Sequence, residues 1–205
     1  DFHNVAEMRQ EENGYVMYRF PLSVAEKMEA GADNVSRYST GIEIRFKLNS
    51  EEAVVYLRAE PAEEAQVAYI YFGSFQGGWY CSSKVILKRI SVEEKLEFNP
   101  EVVRVVLPYG KCIFLGVEGE VETPAKQDYP SKTYLAYGSS ITHGSLALAA
   151  PYTYPFQIAK KLGCDYLNLG MAGSARIEAS LAKYLRNRKD WDFLSLEIGI
   201  NMIHN

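Results

Sequence analysis

The hydrophobic period of this chain changes once, near residue 123, and no single architecture accommodates both halves. From Gly14 to about Val121 apolar residues alternate with polar ones. In GIEIRFKLN, Ile42, Ile44, Phe46 and Leu48 fall on one face and Glu43, Arg45 and Lys47 on the other, the pattern of a strand with one side in a core and one in water. Similar runs follow at Ala53–Arg58, Val67–Phe72, Val85–Ile90, Val102–Leu107 and Cys112–Val117, separated by the turn-rich stretches NSEE, FQGGW, NPE and LPYGK. The run EEAVVYLRAEPAEE reads as solvated edges and a turn. Short strands at this spacing predict an antiparallel β-sandwich or jelly roll over residues 1–122.

The polar stretch TPAKQDYPSK, residues 123–132, holds two prolines and reads as a linker. Beyond it the spacing predicts a strand at Thr133–Tyr137 and a helix at Tyr154–Leu162 stopped by Gly163. A strand at Tyr166–Leu169 follows, then a helix at Ala175–Asn187 with Ile177, Leu181, Tyr184 and Leu185 on one face, and a strand at Phe193–Ile198. Residues 133–205 therefore read as βαβαβ, with parallel strands and right-handed crossovers.

Composition narrows the partners. Hydrophobic residues make up 47% of the 205, enough to bury cores, and a net charge of -4 with interspersed signs offers no basic field for nucleic acid and no polybasic patch for a membrane. Apolar runs of about 18 residues are absent. Cys81, Cys112 and Cys164 match no metal-binding spacing and read as free thiols in a reducing compartment such as a cytoplasm, although a secreted bacterial protein with few cysteines has the same pattern. No metal or organic cofactor is implied, and the oligomeric state is not encoded in any pattern found.

In an open parallel sheet the loops leaving the carboxyl ends of the strands share one edge, where ligands bind. The first such loop carries Ser139 and Ser140, the second is GMAGSA with Gly170 and Gly173, and the third is GINM with Gly199 and Asn201. A hydroxyl, a glycine-rich turn with free N–H groups and a side-chain amide suit acyl transfer, which needs a nucleophile and donors around the developing oxyanion. Phosphate-binding, dinucleotide-binding and α/β-hydrolase motifs all fail on spacing.

These blocks resemble the SGNH or GDSL hydrolases over Tyr134–Asn201. GSSITHG is similar to their Gly-Asp-Ser block with Ser139 in place of the aspartate, NLGMAGSA to their second block, and GINM to Gly-x-Asn-Asp with Met202 as the last residue. The resemblance implies an incomplete three-layer, flavodoxin-like α/β domain. It also implies Ser140 as nucleophile and the Ser140 N–H, the Gly173 N–H and the Asn201 amide as oxyanion hole. A sandwich before such a domain is similar to the arrangement in carbohydrate esterase family 2 and its relatives, which implies a small-molecule or carbohydrate ester, such as an acetylated sugar, as substrate.

The family's Asp-x-x-His block, which supplies the catalytic base, has no match here. The chain is therefore expected to be part of a longer hydrolase, about 100–170 residues short of an ordinary domain, and to hydrolyse esters poorly alone. His143 reads as a surface or capping residue rather than the base, Asn168 as structural, and Glu197 as a hydrogen-bonded carboxylate. Ser139 and Ser140 could instead simply cap a helix. Tyr69, Tyr71, Phe72, Phe75, Trp79 and Tyr80 read mostly as core, with Trp79 exposed. A second reading stays open: a carbohydrate-binding protein on a degenerate hydrolase scaffold.

Overall fold

The structure, a computed structural model, describes residues 1–12, 14–28, 31–60, 68–91 and 97–203. Val67 of the expected third strand and the turn at residues 61–64 lie outside the described residues. The strands before residue 123 are β1 (Phe2–His3), β2 (Glu7–Glu11), β3 (Gly14–Tyr18), β4 (Glu43–Leu48), β5 (Glu52–Glu60), β6 (Ala68–Phe72), β7 (Phe75–Tyr80), β8 (Lys84–Lys88), β9 (Val102–Val106), β10 (Lys111–Glu118) and β11 (Val121–Glu122). Two short helices, α1 (Leu22–Ala25) and α2 (Ala32–Ser36), interrupt them.

These strands form two antiparallel sheets, ordered β1-β4-β9-β6-β7 with β11 also on β4, and β2-β3-β10-β5-β8. A shared core lies between them. Ile44, Phe46, Ile70, Val103 and Val105 enter from the first sheet and Met17, Val55, Leu57, Val85 and Leu87 from the second. Alternation along each strand produces this core, because a period of two sends every other side chain inward. The stretch FQGGW, expected as a turn, is strand β7, paired with β6 through a register shift after Ile70. Its outer face leaves Trp79 64% exposed and Phe75 exposed, while Tyr71 and Phe72 of β6 are buried.

A parallel sheet follows, β13 (Asp165–Asn168), β12 (Thr133–Gly138) and β14 (Phe193–Glu197) in that spatial order. Helix α4 spans Tyr154–Leu162 and stops at left-handed Gly163, as its pattern predicts. Helix α5 begins at Ala179, not Ala175, because Ile177 takes a φ of 52° that a right-handed helix cannot contain. Both faces of β12 are buried. Leu135 and Tyr137 join Leu181 and Leu185 of α5 and Phe20 of the sandwich, whereas Tyr134 and Ala136 join Phe156 of α4 and Tyr71 of β6. The parallel sheet thus packs on both sides, as such sheets do.

The polar face of β4 departs from expectation. Glu43 is 0% exposed and Arg45 1%, because the parallel unit covers the side predicted to meet water. Arg45 bonds Asp165 of β13 at both carboxylate oxygens, at 2.6 and 2.7 Å, and Glu43 at 2.8 Å. Arg104 holds Glu43 through two bonds of 2.7 Å and stacks 3.9 Å from the Phe98 ring. Burial alone would raise the Glu43 carboxyl, but Arg104 and Arg45 outweigh it and set the group at about 2. Asp165 is likewise held well below the carboxylate range, with Arg45 overriding burial. The 123–132 segment is pinned too: Asp128 accepts from Lys47 at 2.9 Å, from Asn99 at 2.6 Å and from the Ala125 N–H at 2.8 Å.

Asp165→Ala should cost about 3–5 kcal/mol in urea titration, because it leaves two buried guanidiniums, Arg45 and Arg104, sharing the one Glu43 carboxylate, whereas Arg45→Met with Asp165→Leu should lose less than the sum of the single changes. Both carboxyls have folded values below their unfolded ones, so their contribution is complete above about pH 4.5 and is lost as the pH falls toward 2. An unfolding midpoint unchanged between pH 7 and pH 3 would contradict this.

Candidate active site

Strand β12 lies between β13 and β14, so the chain leaves it at the point where the sheet order reverses. The carboxyl end of β12 is Gly138, where a Cβ would sit 2.2 Å from Thr142 Oγ1 and 2.6 Å from the Glu197 carbonyl oxygen. Only a glycine lets the chain turn there. It enters helix α3 (Ser140–His143), whose N-cap is Ser139. The Ser139 hydroxyl accepts from the Ile141 N–H at 3.3 Å and donates to Glu197 Oε2 at 2.6 Å. Its N–H reaches the same oxygen at 2.8 Å, and Thr142 Oγ1 lies 3.2 Å away. Glu197 is thus the hydrogen-bonded carboxylate its residue type suggested. The capping role belongs to Ser139, which leaves the partly exposed Ser140 hydroxyl with no side-chain partner among the described residues.

The second loop is pressed onto this turn. A Cβ on Gly170 would lie 2.2 Å from the backbone nitrogen of His143. Asn168 fastens the contact, donating to the Thr142 carbonyl at 2.8 Å and accepting from the Gly170 N–H at 2.9 Å. Its role is structural. Gly173, farther along, is exposed with a φ of 73°, a left-handed conformation that glycine adopts without strain. Asn201 sits in a 3-10 turn after β14, and its Oδ1 accepts from the Ala175 N–H at 3.4 Å. The three loops are therefore mutually tied: first to second by Asn168, second to third by Asn201, and third to first by Glu197. A cleft of about 270 Å³ opens over Ser140, lined by Ile141, Leu146, Tyr152 and Tyr154. A larger cavity, about 360 Å³, lies beside Cys164 and Tyr166 at the start of β13 and touches none of the three loops.

His143 is buried rather than on the surface, because Tyr38 and Tyr109 of the sandwich close over it at ring distances of 5.3 and 4.7 Å. Burial, reinforced by Arg19, holds its imidazole well below the usual histidine value. Nε2 faces Arg19 Nη2 and Nδ1 faces the Ala172 N–H, each at 3.2 Å, so the ring is engaged away from Ser140. Arg19 is the site-bracing residue that sequence reasoning missed. Its partners are mostly backbone carbonyls, which carry no sequence signal. The other described histidine, His3, contacts Asp165 at 3.4 Å, far along the sheet from the loops, and His204 lies outside the described residues.

Residues 131–193 match the model of the GDSL-like Lipase/Acylhydrolase family, so the resemblance is borne out over the stretch that holds the first two blocks, while the third, GINM, lies beyond the matched residues. No curated protein matches the sequence. Among solved structures, a salicylyl-acyltransferase from a tetracycline biosynthetic pathway superposes with a TM-score of 0.77 at 17% identity, over 98% of this chain and 59% of that one. A putative GDSL-like lipase from Bacteroides ovatus ATCC 8483 gives 0.62 at 18% identity, over 98% and 62%. A family two carbohydrate esterase from Clostridium thermocellum, solved with cellohexaose, gives 0.50 at 13% identity, over 98% and 66%. These likenesses show a common fold, and the chain spans about three fifths of the first two structures' lengths.

The packing of Gly170 on α3 makes a direct prediction. Gly170→Ala should destabilise the chain by about 1–3 kcal/mol in denaturant titration, since its methyl meets backbone that cannot move aside. A neutral effect would mean the two loops do not touch.

Proposed function

We propose that these residues belong to a serine acylhydrolase in which Ser140 attacks an ester carbonyl and the Ser140 N–H, the Gly173 N–H and the Asn201 amide stabilise the oxyanion. The observation that carries this reading is the meeting of three tied loops at the carboxyl edge of the sheet, with Ser140 at the switch point and its hydroxyl uncommitted. With Oδ1 of Asn201 held by Ala175, its Nδ2 group is the end left for an acyl oxygen. Ser139, which stands where the resembled block has an aspartate, is fixed by Glu197 through bonds of 2.8 and 2.6 Å.

In this reading Ser140 forms an ester with the acyl group, and its proton passes by way of a histidine of an Asp-x-x-His block outside these 205 residues to the departing oxygen, which leaves as the alcohol. Water then releases the acid. The same acyl-enzyme could be resolved by a second alcohol, which is the chemistry the salicylyl-acyltransferase's name describes. The substrate class we favour is a short acyl ester, such as an acetyl group on a carbohydrate. Residues 1–122 are then a jelly-roll-like accessory domain, 123–132 the connection and 133–205 the first part of the hydrolase domain. The competing reading, a sugar-binding protein without turnover, draws on exposed Trp79 and Phe75, which form a ready stacking surface on β7.

In the longer protein that carries an Asp-x-x-His block, Ser140→Ala should lower ester turnover by at least about 10³-fold. Asn201→Ala should cost about 10²–10³-fold in kcat. Turnover that survives Ser140→Ala would refute the assignment. Sugar binding abolished by Trp79→Ala, with no turnover in any variant, would favour the binding protein.

A further inference from the structure

Arg19 directly follows β3 and is 0% exposed, yet among the described residues no carboxylate pairs with it. Burying a guanidinium without a counter-charge is costly, and the neighbouring buried arginines, Arg45 and Arg104, both avoid it by pairing with Glu43 or Asp165. Arg19 instead directs its N–H donors at neutral groups, four of them backbone carbonyls. Nε donates to the Tyr38 carbonyl at 2.7 Å and Nη2 to the Val35 carbonyl at 2.9 Å, with His143 Nε2 at 3.2 Å. Nη1 reaches across to the second loop, donating to the Asn168 carbonyl at 3.1 Å and the Gly170 carbonyl at 2.8 Å. Two of those carbonyls thus lie in the sandwich and two in the candidate site. A core residue that merely filled space would not need this fork.

The contacts continue toward Ser140. The peptide whose carbonyl is Gly170 has Met171 as its N–H, and that N–H donates to the Gly138 carbonyl at 2.8 Å, at the base of the nucleophile turn. The peptide whose carbonyl is Asn168 donates through the Leu169 N–H to the Ala136 carbonyl at 2.8 Å. A peptide that accepts from a cation is a stronger donor on its other side, so one buried charge tightens both links.

We propose that Arg19 is a positioning residue of the acyl-transfer site, through which the sandwich holds the glycine-rich second loop against the Ser140 turn. The role rests on the reading of Ser140 and Gly173 as that site. It makes the sandwich part of the catalytic assembly and not an appended module. Arg19 touches no substrate in this account, and it acts through the backbone.

Native-state hydrogen exchange on the 205-residue chain tests this apart from any turnover. Arg19→Lys keeps a nitrogen donor and loses the fork, so the Met171 amide should exchange about 10-fold faster or more, the loss of one charge-assisted hydrogen bond, while the Val103 and Val105 amides of β9 hold their rates. Equal acceleration of both sets would mean a merely structural role, and no change at Met171 would overturn the proposal. Should the variants fail to fold, the unmodified chain still decides, because a guanidinium held by four carbonyls cannot rotate freely about its Cζ–N bonds and should give separate, slowly exchanging Nη signals for Arg19. A single averaged Nη signal, as for a solvated arginine, would overturn the contact. In the longer, ester-hydrolysing protein Arg19→Met should lower kcat by about 10²-fold with KM little changed, and Arg19→Lys should recover part of it. If no ester is turned over, the Ser140 reading fails alone, and the exchange data still report on Arg19.

Discussion

The polar face of β4 is the constraint on which the rest of the structure depends. A strand that places Ile44 and Phe46 in one core necessarily presents Glu43 and Arg45 on the opposite side, and here that side is sealed. Two buried charges need counter-charges at hydrogen-bond distance, and Arg104 of β9 and Asp165 of β13 supply them. Asp165 opens the strand that leads to the second loop. An ion pair that secures the sandwich to the parallel sheet therefore also sets where the glycine-rich turn begins. Such networks give orientation more than net stability, since desolvation offsets much of the attraction.

At the other end of the sheet the same logic operates through neutral groups. Glu197 gathers Ser139 and Thr142, Asn168 clasps Thr142 and Gly170, and Asn201 reaches Ala175. Each loop residue that looked catalytic by type, apart from Ser140 and Gly173, already has a bond that positions a neighbour. An acyl-transfer site requires such rigidity, because oxyanion donors act only when held where the charge will develop. The nucleophile turn is left with one uncommitted hydroxyl in a cleft walled by Ile141, Leu146 and Tyr152.

Much of this was legible in the chain itself. Period-two alternation marks the sandwich strands and the limits of α4 were readable to the residue, because burial on one face and a glycine stop are local requirements. The three short blocks also pointed to Ser140, Gly173 and Asn201 as loop residues on one edge. Less legible were the features that depend on what lies across space. FQGGW carries turn residues yet pairs with β6, and Ile177 breaks a periodic helix through its backbone angle. His143 looked like a surface residue until Tyr38 and Tyr109 were seen to cover it.

The sequence by itself determined the two periods, hence two antiparallel sheets followed by a parallel one, and the chemical types arrayed at the strand ends. Periodicity is a property of neighbours along the chain, and it survives without knowledge of the fold. Only the tertiary structure decided that the polar face of β4 is an interior, that Glu197 serves Ser139, and that Arg19 reaches from the sandwich into the second loop. Those outcomes rest on charge and hydrogen-bond pairings between residues 58 to 151 positions apart, for which a single sequence holds no marker. The buried arginines make the point most sharply. On the page they resemble any solvated arginine, and only their partners separate the ion-paired Arg45 from the carbonyl-bound Arg19.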